Sequence, residues 1–308
     1  MAIQISILKG FFWDLQDHIT QTVAQFDGKS FLNDEWAKPK DSPLQGYGRS
    51  MILENGHFLE RGGVAFSHVS GNKLPPSATA QRPEIAGGSF EAIGVSLVFH
   101  PRNPKVPTVH MNVRCIVAMK DGVEPVWWFG GGMDLTPFYG DQADCVHFHQ
   151  TCKQTLDAFN PDFYPIFKKN CDEYFYLPHR QEPRGIGGIF FDDFNELGFD
   201  KSFAMTQAVG KSLLDAYMPI AQKHYQDPYT PEEKEFQEYR RGRYVEFNLV
   251  WDAGTKFGLD TNGRTESILM SMPPQAEWTY QHEPKPGSAE EFTLEHLKKG
   301  IDWISYTA

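Results

Sequence analysis

The chain has 308 residues, of which 40% are hydrophobic and 22% charged, with a formal net charge of −11. That balance excludes disorder and suffices for one large core or two small ones. The longest basic run is Arg240-Arg241-Gly242-Arg243. It is too short for the basic stripe of a nucleic-acid binder, so no nucleic-acid partner is expected.

Leu8, Phe12, Leu15, Ile19, Val23 and Phe26 recur at three and four, which predicts a first helix ended by Gly28. Gln4, Lys9 and Asp14 interrupt the apolar N-terminus, so no signal peptide is expected. No apolar run approaches the ~20 residues of a membrane-spanning helix. A polar stretch with Trp36, Pro39 and Pro43 reads as irregular. From about 48 to 135, short alternating segments predict strands, with turns at Glu54-Asn55-Gly56, Arg61-Gly62-Gly63, Pro101–Pro104 and Lys120-Asp121-Gly122. Short connections favour antiparallel pairing.

Helical period returns at 142–160, with Cys145, Phe148, Cys152, Leu156 and Phe159 on one side, and again near 163–175. Gly187–Phe194 reads as a strand and 201–224 as a long helix. Thr230-Pro231-Glu232-Glu233 is a capping box that starts another. Strands are predicted near 243–251 and 265–272, then a proline-rich loop over 273–287. Ser288-Ala289-Glu290-Glu291 opens a final helix. No repeat or linker is visible, so one α+β domain over 1–308 is expected, an antiparallel sheet with helices packed over it. Cys115, Cys145, Cys152 and Cys171 form no C-x-x-C pair and predict reduced thiols in a cytoplasmic protein.

The stretch Thr108–Val117 carries the most chemistry. Strand period places Val109, Met111, Val113 and Cys115 on one face and Thr108, His110, Asn112 and Arg114 on the other. Upstream, Val95, Leu97 and Phe99 alternate with Ser96, Val98 and His100. Paired as a hairpin, the two strands gather Ser, two His, Asn and Arg on one face. A plain solvated face prefers Thr, Lys, Glu and Gln, whereas these groups donate, accept and titrate near neutrality. Asn112 and Arg114 suit a carboxylate. His110 and His100 suit proton transfer or a metal.

Trp127–Pro137 contains Gly130-Gly131-Gly132 and then Asp134. It matches neither a phosphate loop nor a dinucleotide fingerprint. Glycines in a strand admit a ligand, or a bulge. Asp134 reads as a base, as an anion facing N–H donors, or as a turn residue. His100, His110, His149 and His179 are candidate ligands of a divalent ion, although no pair of them has metal-motif spacing. Asp252–Glu266, with Lys256 and Arg264, reads as a lid, an anion site or a surface loop.

Gly62–Gly71, Gly94–Pro104, Val106–Arg114, Trp127–Pro137, Pro178–Asp193 and Arg243–Val250 through Arg264–Pro274, in this order, resemble the oxygen-dependent coproporphyrinogen III oxidases. The resemblance implies a flat antiparallel sheet of about seven strands between helices, in a homodimer joined through about 244–275. It implies oxidative decarboxylation of two propionates of coproporphyrinogen III to vinyl groups, giving protoporphyrinogen IX in haem biosynthesis, with molecular oxygen as co-substrate and no organic cofactor, in agreement with the missing nucleotide fingerprint. By position, Ser96, Asn112, Val113, Arg114, Asn262, Gly263 and Arg264 align with substrate contacts and His110 with a proton donor. Asp134 aligns with an acid near the pyrrole nitrogens. His100, His110, His149 and His179 align with a divalent-metal set of bacterial members. Two other readings of the polar face are a metal-dependent dioxygenase or hydrolase and a tetrapyrrole carrier.

Overall fold

A computed structural model describes residues 3–74, 82–260 and 263–306. Helix α1 (Ile5–Asp27) buries Leu8, Phe12, Leu15, Ile19 and Val23 and ends at Gly28, which is left-handed (φ 81°) and returns its N–H to the Ala24 carbonyl. Seven strands follow the order β1-β2-β3-β4-β5-β6-β9, every pair antiparallel. They are β1 (Leu32–Ala37), β2 (Leu44–Glu54), β3 (Leu59–Gly71), β4 (Ser89–Pro101), β5 (Thr108–Lys120), β6 (Val123–Thr136) and β9 (Gly187–Phe194). Helices α2 (Gln142–Asp157) and α3 (Phe163–Tyr174) and a small ribbon of β7 (Tyr176–Leu177) and β8 (Glu182–Pro183) lie between β6 and β9. The expected seven-stranded α+β architecture is the one found.

Helix α4 (Phe199–His224) packs with α1 on the apolar face of the sheet. Phe203 stacks on Phe129 with ring centroids 5.8 Å apart. Gly210 of α4 leaves room for Leu15 and Val113, and Trp13 meets Phe66 edge-on. Val64, Phe66, Val95, Leu97, Met111, Val113, Phe129 and Met133 therefore form the core layer. The C-terminal third lies against part of the opposite face, with Met270 at Gly63, Ser267 at Ser50 and Tyr244 at His100. Helix α5 (Pro231–Glu246) starts at the Thr230 capping box, with both reciprocal bonds made. It runs into a π-helical turn (Phe247–Trp251), then α6 (Ala253–Asp260), α7 (Thr265–Leu269) and α8 (Ala289–His296).

Three expectations fail. The stretch around Trp36 contains edge strand β1, whose mostly exposed residues show no buried alternation. Arg61-Gly62-Gly63 is no turn but lies within β3: Leu59 and Phe99 occupy the space of a side chain at Gly62, and Met270 does so at Gly63. The strands expected at 243–251 and 265–272 are helical, and Asp252–Glu266 includes α6 rather than an open loop. Only Phe247 and Asn248 of the π turn are buried, so the alternation of 246–251 did not report two faces.

Candidate active site

Register assembles the site across the sheet. One row runs Asp34, Ser50, Ala65, Ser96, Asn112, Gly132 and Phe190. The next runs Trp36, Gly48, Ser67, Gly94, Arg114 and Gly130. A third holds Gly63, Val98, His110 and Asp134. At the centre Ala65, Ser67, Gly94 and Ser96 are small and half-buried, while the alternate residues Val64, Phe66, Val95 and Leu97 are fully buried. The result is a polar floor with low side chains, from which His110, Asn112 and Arg114 rise.

Asp134 and its partners form the charged centre. Arg184 grips it with two bonds, Nε to Oδ2 at 2.9 Å and Nη2 to Oδ1 at 2.8 Å. His110 donates from Nδ1 to Oδ1 at 2.8 Å. Burial alone would raise the Asp134 carboxyl, but the Arg184 guanidinium and the His110 N–H outweigh it and hold the carboxyl down at about 2. Arg184 is buried too. Its guanidinium lies 4.1 Å from the Phe175 ring centroid and 4.9 Å from those of Tyr244 and Phe247, and it donates to Asn248 Oδ1 at 3.1 Å. The π turn after α5 thus backs the ion pair. With Nδ1 committed to Asp134, the His110 tautomer is fixed, and Nε2 has no partner among the described residues.

Arg114 lies along the floor. Nη1 donates to Asn112 Oδ1 at 2.6 Å and Nη2 pairs with Asp192 at 2.8 Å. A side chain at Gly130 would begin 2.8 Å from the guanidinium carbon, so the glycine is the seat of the arginine. At the opposite edge, Arg264 pairs with Asp34 at 2.5 Å and donates to Ser267 Oγ at 3.3 Å. Ser267 meets Ser50, which also accepts from the Trp36 indole.

The floor therefore brings together Ser96, His110, Asn112, Arg114 and Asp134, and Arg264 joins its rim. Gly263 turns back on Gly258, N–H to carbonyl 2.7 Å. Asn262 lies outside the described residues. The side chain of Val113 is fully buried in the layer under α4, which leaves only its backbone on the floor side for a substrate contact.

The four histidines are not brought together, and this corrects the metal set. His100 is fully buried, donates from Nε2 to the Ser271 carbonyl at 2.8 Å and meets Thr108 Oγ1 through Nδ1. Burial, helped by Arg241, lowers its pKa well below the ordinary histidine value. His149 sits in the core, bonded to Tyr164 and the Ile186 carbonyl, and burial lowers it to about 3. His179 is on the β7–β8 loop, with Nε2 on Glu246 and Nδ1 accepting from Trp251. Both nitrogens of all three are spent on protein groups, so these residues do not fit a shared ion. Among the described residues the one cluster with ligand-like spacing is Asp141, Asp144 and His224, where Lys223 already binds both carboxylates.

Sequence reading missed Arg184, Asn248, Asp34 and Asp192. Arg184 follows β8 in a turn, where no periodicity marks a buried residue. Asp192 stands on β9 beside a bulge between Phe129 and Gly131, where simple alternation fails. No helix among the described residues is long and apolar enough to cross a membrane. The sheet face, its acid–histidine pair, Arg114 on the floor and Arg264 at the rim suit a flat polycarboxylate. Comparison with known families agrees: the description that matches, over residues 7–303, is Coproporphyrinogen III oxidase. The chain thus belongs to the coproporphyrinogen III oxidase family, enzymes that oxidatively decarboxylate propionates in haem biosynthesis.

Proposed function

We propose that residues 1–308 act as one catalytic unit that binds coproporphyrinogen III flat on the sheet, with His110 as the proton-transfer residue and Asp134 positioning it. The observation that carries this reading is the His110–Asp134–Arg184 chain. Per propionate, the carboxylate carbon leaves as carbon dioxide and the carbon next to the ring loses hydrogen. The side chain becomes vinyl, and two electrons pass to molecular oxygen. Balanced with hydrogen peroxide as the reduced product, each turn takes up one proton. As the imidazolium, with Nδ1–H still on Asp134, His110 can deliver it from Nε2 and then regain a proton from solvent.

Asp134 is a poor base here, because both its oxygens are bonded and its carboxyl is held at about 2. It supplies a fixed anion that orients the imidazole. Ser96, Asn112 and Arg114 on the floor, Arg264 at the rim, and Asn262 and Gly263 next to it in sequence are the substrate contacts in this reading. Arg114 and Arg264 hold propionates by charge-assisted bonds and so position the reacting one.

The electron-rich tetrapyrrole itself reduces oxygen, and the reading needs neither an organic cofactor nor a divalent ion at His100, His110, His149 and His179. Leu249, Val250, Trp251, Phe257 and Leu259 are 40–50% exposed, which supports 244–275 as the contact between two copies. The four cysteines are buried and free, in keeping with a cytoplasmic protein whose partners are substrate and a second copy rather than nucleic acid.

The test is turnover of chelator-treated protein with coproporphyrinogen III, following oxygen uptake and vinyl product. Oxygen-dependent product without added metal is expected. Activity that returns only with a divalent ion would restore the four-histidine set. Binding without oxygen uptake would make the protein a carrier.

A further inference from the structure

Arg114 on the floor and Arg264 at its rim differ from Arg184 in one respect. Arg184 and Asp134 are 2% and 1% exposed, a permanently buried pair. Arg114–Asp192 is 29% and 51% exposed, and Arg264–Asp34 is 32% and 37% exposed. Asp34 stands on β1 and Asp192 on β9, the two edge strands of the sheet. Each edge thus offers one protein carboxylate to one arginine of the floor. A half-exposed ion pair contributes little to stability and is easily opened, whereas a buried one is not.

We propose that Asp34 and Asp192 are exchangeable counter-carboxylates. Each holds its arginine in place while the floor is free and gives way to a carboxylate of the substrate. The inference rests on the reading that Arg114 and Arg264 bind propionates. It adds that affinity is set by competition between protein and substrate carboxylates. A ligand with one carboxylate can open one pair, while a polycarboxylate that reaches both edges opens two. The grip is also reversible, because an arginine that loses its propionate regains an aspartate rather than standing bare. Two successive decarboxylations on one substrate require such a release between them.

The probe is coproporphyrin III, the oxidised and unreactive tetracarboxylate, titrated by fluorescence quenching. Asp192→Asn and Asp34→Asn are isosteric and remove the competitor. Each is expected to tighten binding about threefold to fivefold. The gain from Asp192→Asn should vanish in an Arg114→Ala background. Asparagine variants that bind no tighter, or more weakly, while Arg114→Ala still weakens binding, would overturn the exchange and leave the aspartates as struts. Wild-type affinity in Arg114→Ala would instead sink the underlying assignment of Arg114.

Discussion

Replacing Asp134 by asparagine separates two roles, one in stability and one in chemistry. The substitution leaves the Arg184 guanidinium buried without its anion. Removing one partner of a buried pair costs about 3–5 kcal/mol. The protonation balance gives a similar scale. A carboxyl held at about 2 against an ordinary 3.8 contributes roughly 2.5 kcal/mol to the folded state at neutral pH. Asp134→Asn should therefore lower the urea midpoint, read from tryptophan fluorescence, by roughly 1 M or more. Adding Arg184→Met removes the orphaned charge and fills its place with apolar volume, so most of the lost stability should return. Turnover should not return, because His110 still lacks its fixed anion. A single variant within about 1 kcal/mol of wild type would refute the energetic reasoning. A double variant that is both stable and active would refute the role given to the carboxylate.

Gly130→Ala places a methyl where the Arg114 guanidinium lies; it should raise KM severalfold with little change in unfolding midpoint, since a flexible side chain gives way. A KM equal to wild type would mean that Arg114 is not needed in its present seat. Below pH 6.5 the buried neutral His149, lowered to about 3, gains no proton in the folded chain but does in the unfolded one. Its stabilising contribution is whole above pH 6.5 and has fallen by roughly 3 kcal/mol at pH 4. The urea midpoint should fall over this range, and less steeply in His149→Gln; an equal slope in both would count against it. Trp251→Asp combined with Leu249→Asp should convert a dimer to monomer in light scattering, and an unchanged mass would remove the 244–275 contact.

How much of this was legible depends on where period and burial agree. On β5 they agree residue by residue, so the face bearing His110, Asn112 and Arg114 and its pairing with Ser96 could be read directly. On β1 they do not, because an edge strand with exposed residues shows no apolar side. At 246–251 apolar residues alternate, yet α5 continues through them as a π turn that leaves Leu249, Val250 and Trp251 outside. Alternation there reflects a surface rather than a sheet. The histidines failed for a different reason. Their residue type suits a metal, but only the folded chain reveals that Ser271, Ile186 and Glu246 supply their partners.

The same logic explains the glycines whose run in a strand admits a ligand or a bulge. A side chain at Gly132 would begin 2.0 Å from the Ile189 carbonyl, and one at Gly131 would begin 2.7 Å from the Asn112 carbonyl. Gly132 lets β9 close on β6, Gly131 lets β5 do so from the other side, and Gly130 seats Arg114. That closure carries chemistry, because β9 brings Asp192 to Arg114 and the turn before it brings Arg184 to Asp134. Register makes the arrangement all-or-none. A one-residue slip of β5 would turn Val113 to the floor and bury Arg114 under α4. The hairpin through Pro101–Pro107 and the glycine approach on the other side hold β5 from both edges. Precision in the site therefore comes from strand pairing, and the polar residues need only occupy every second position.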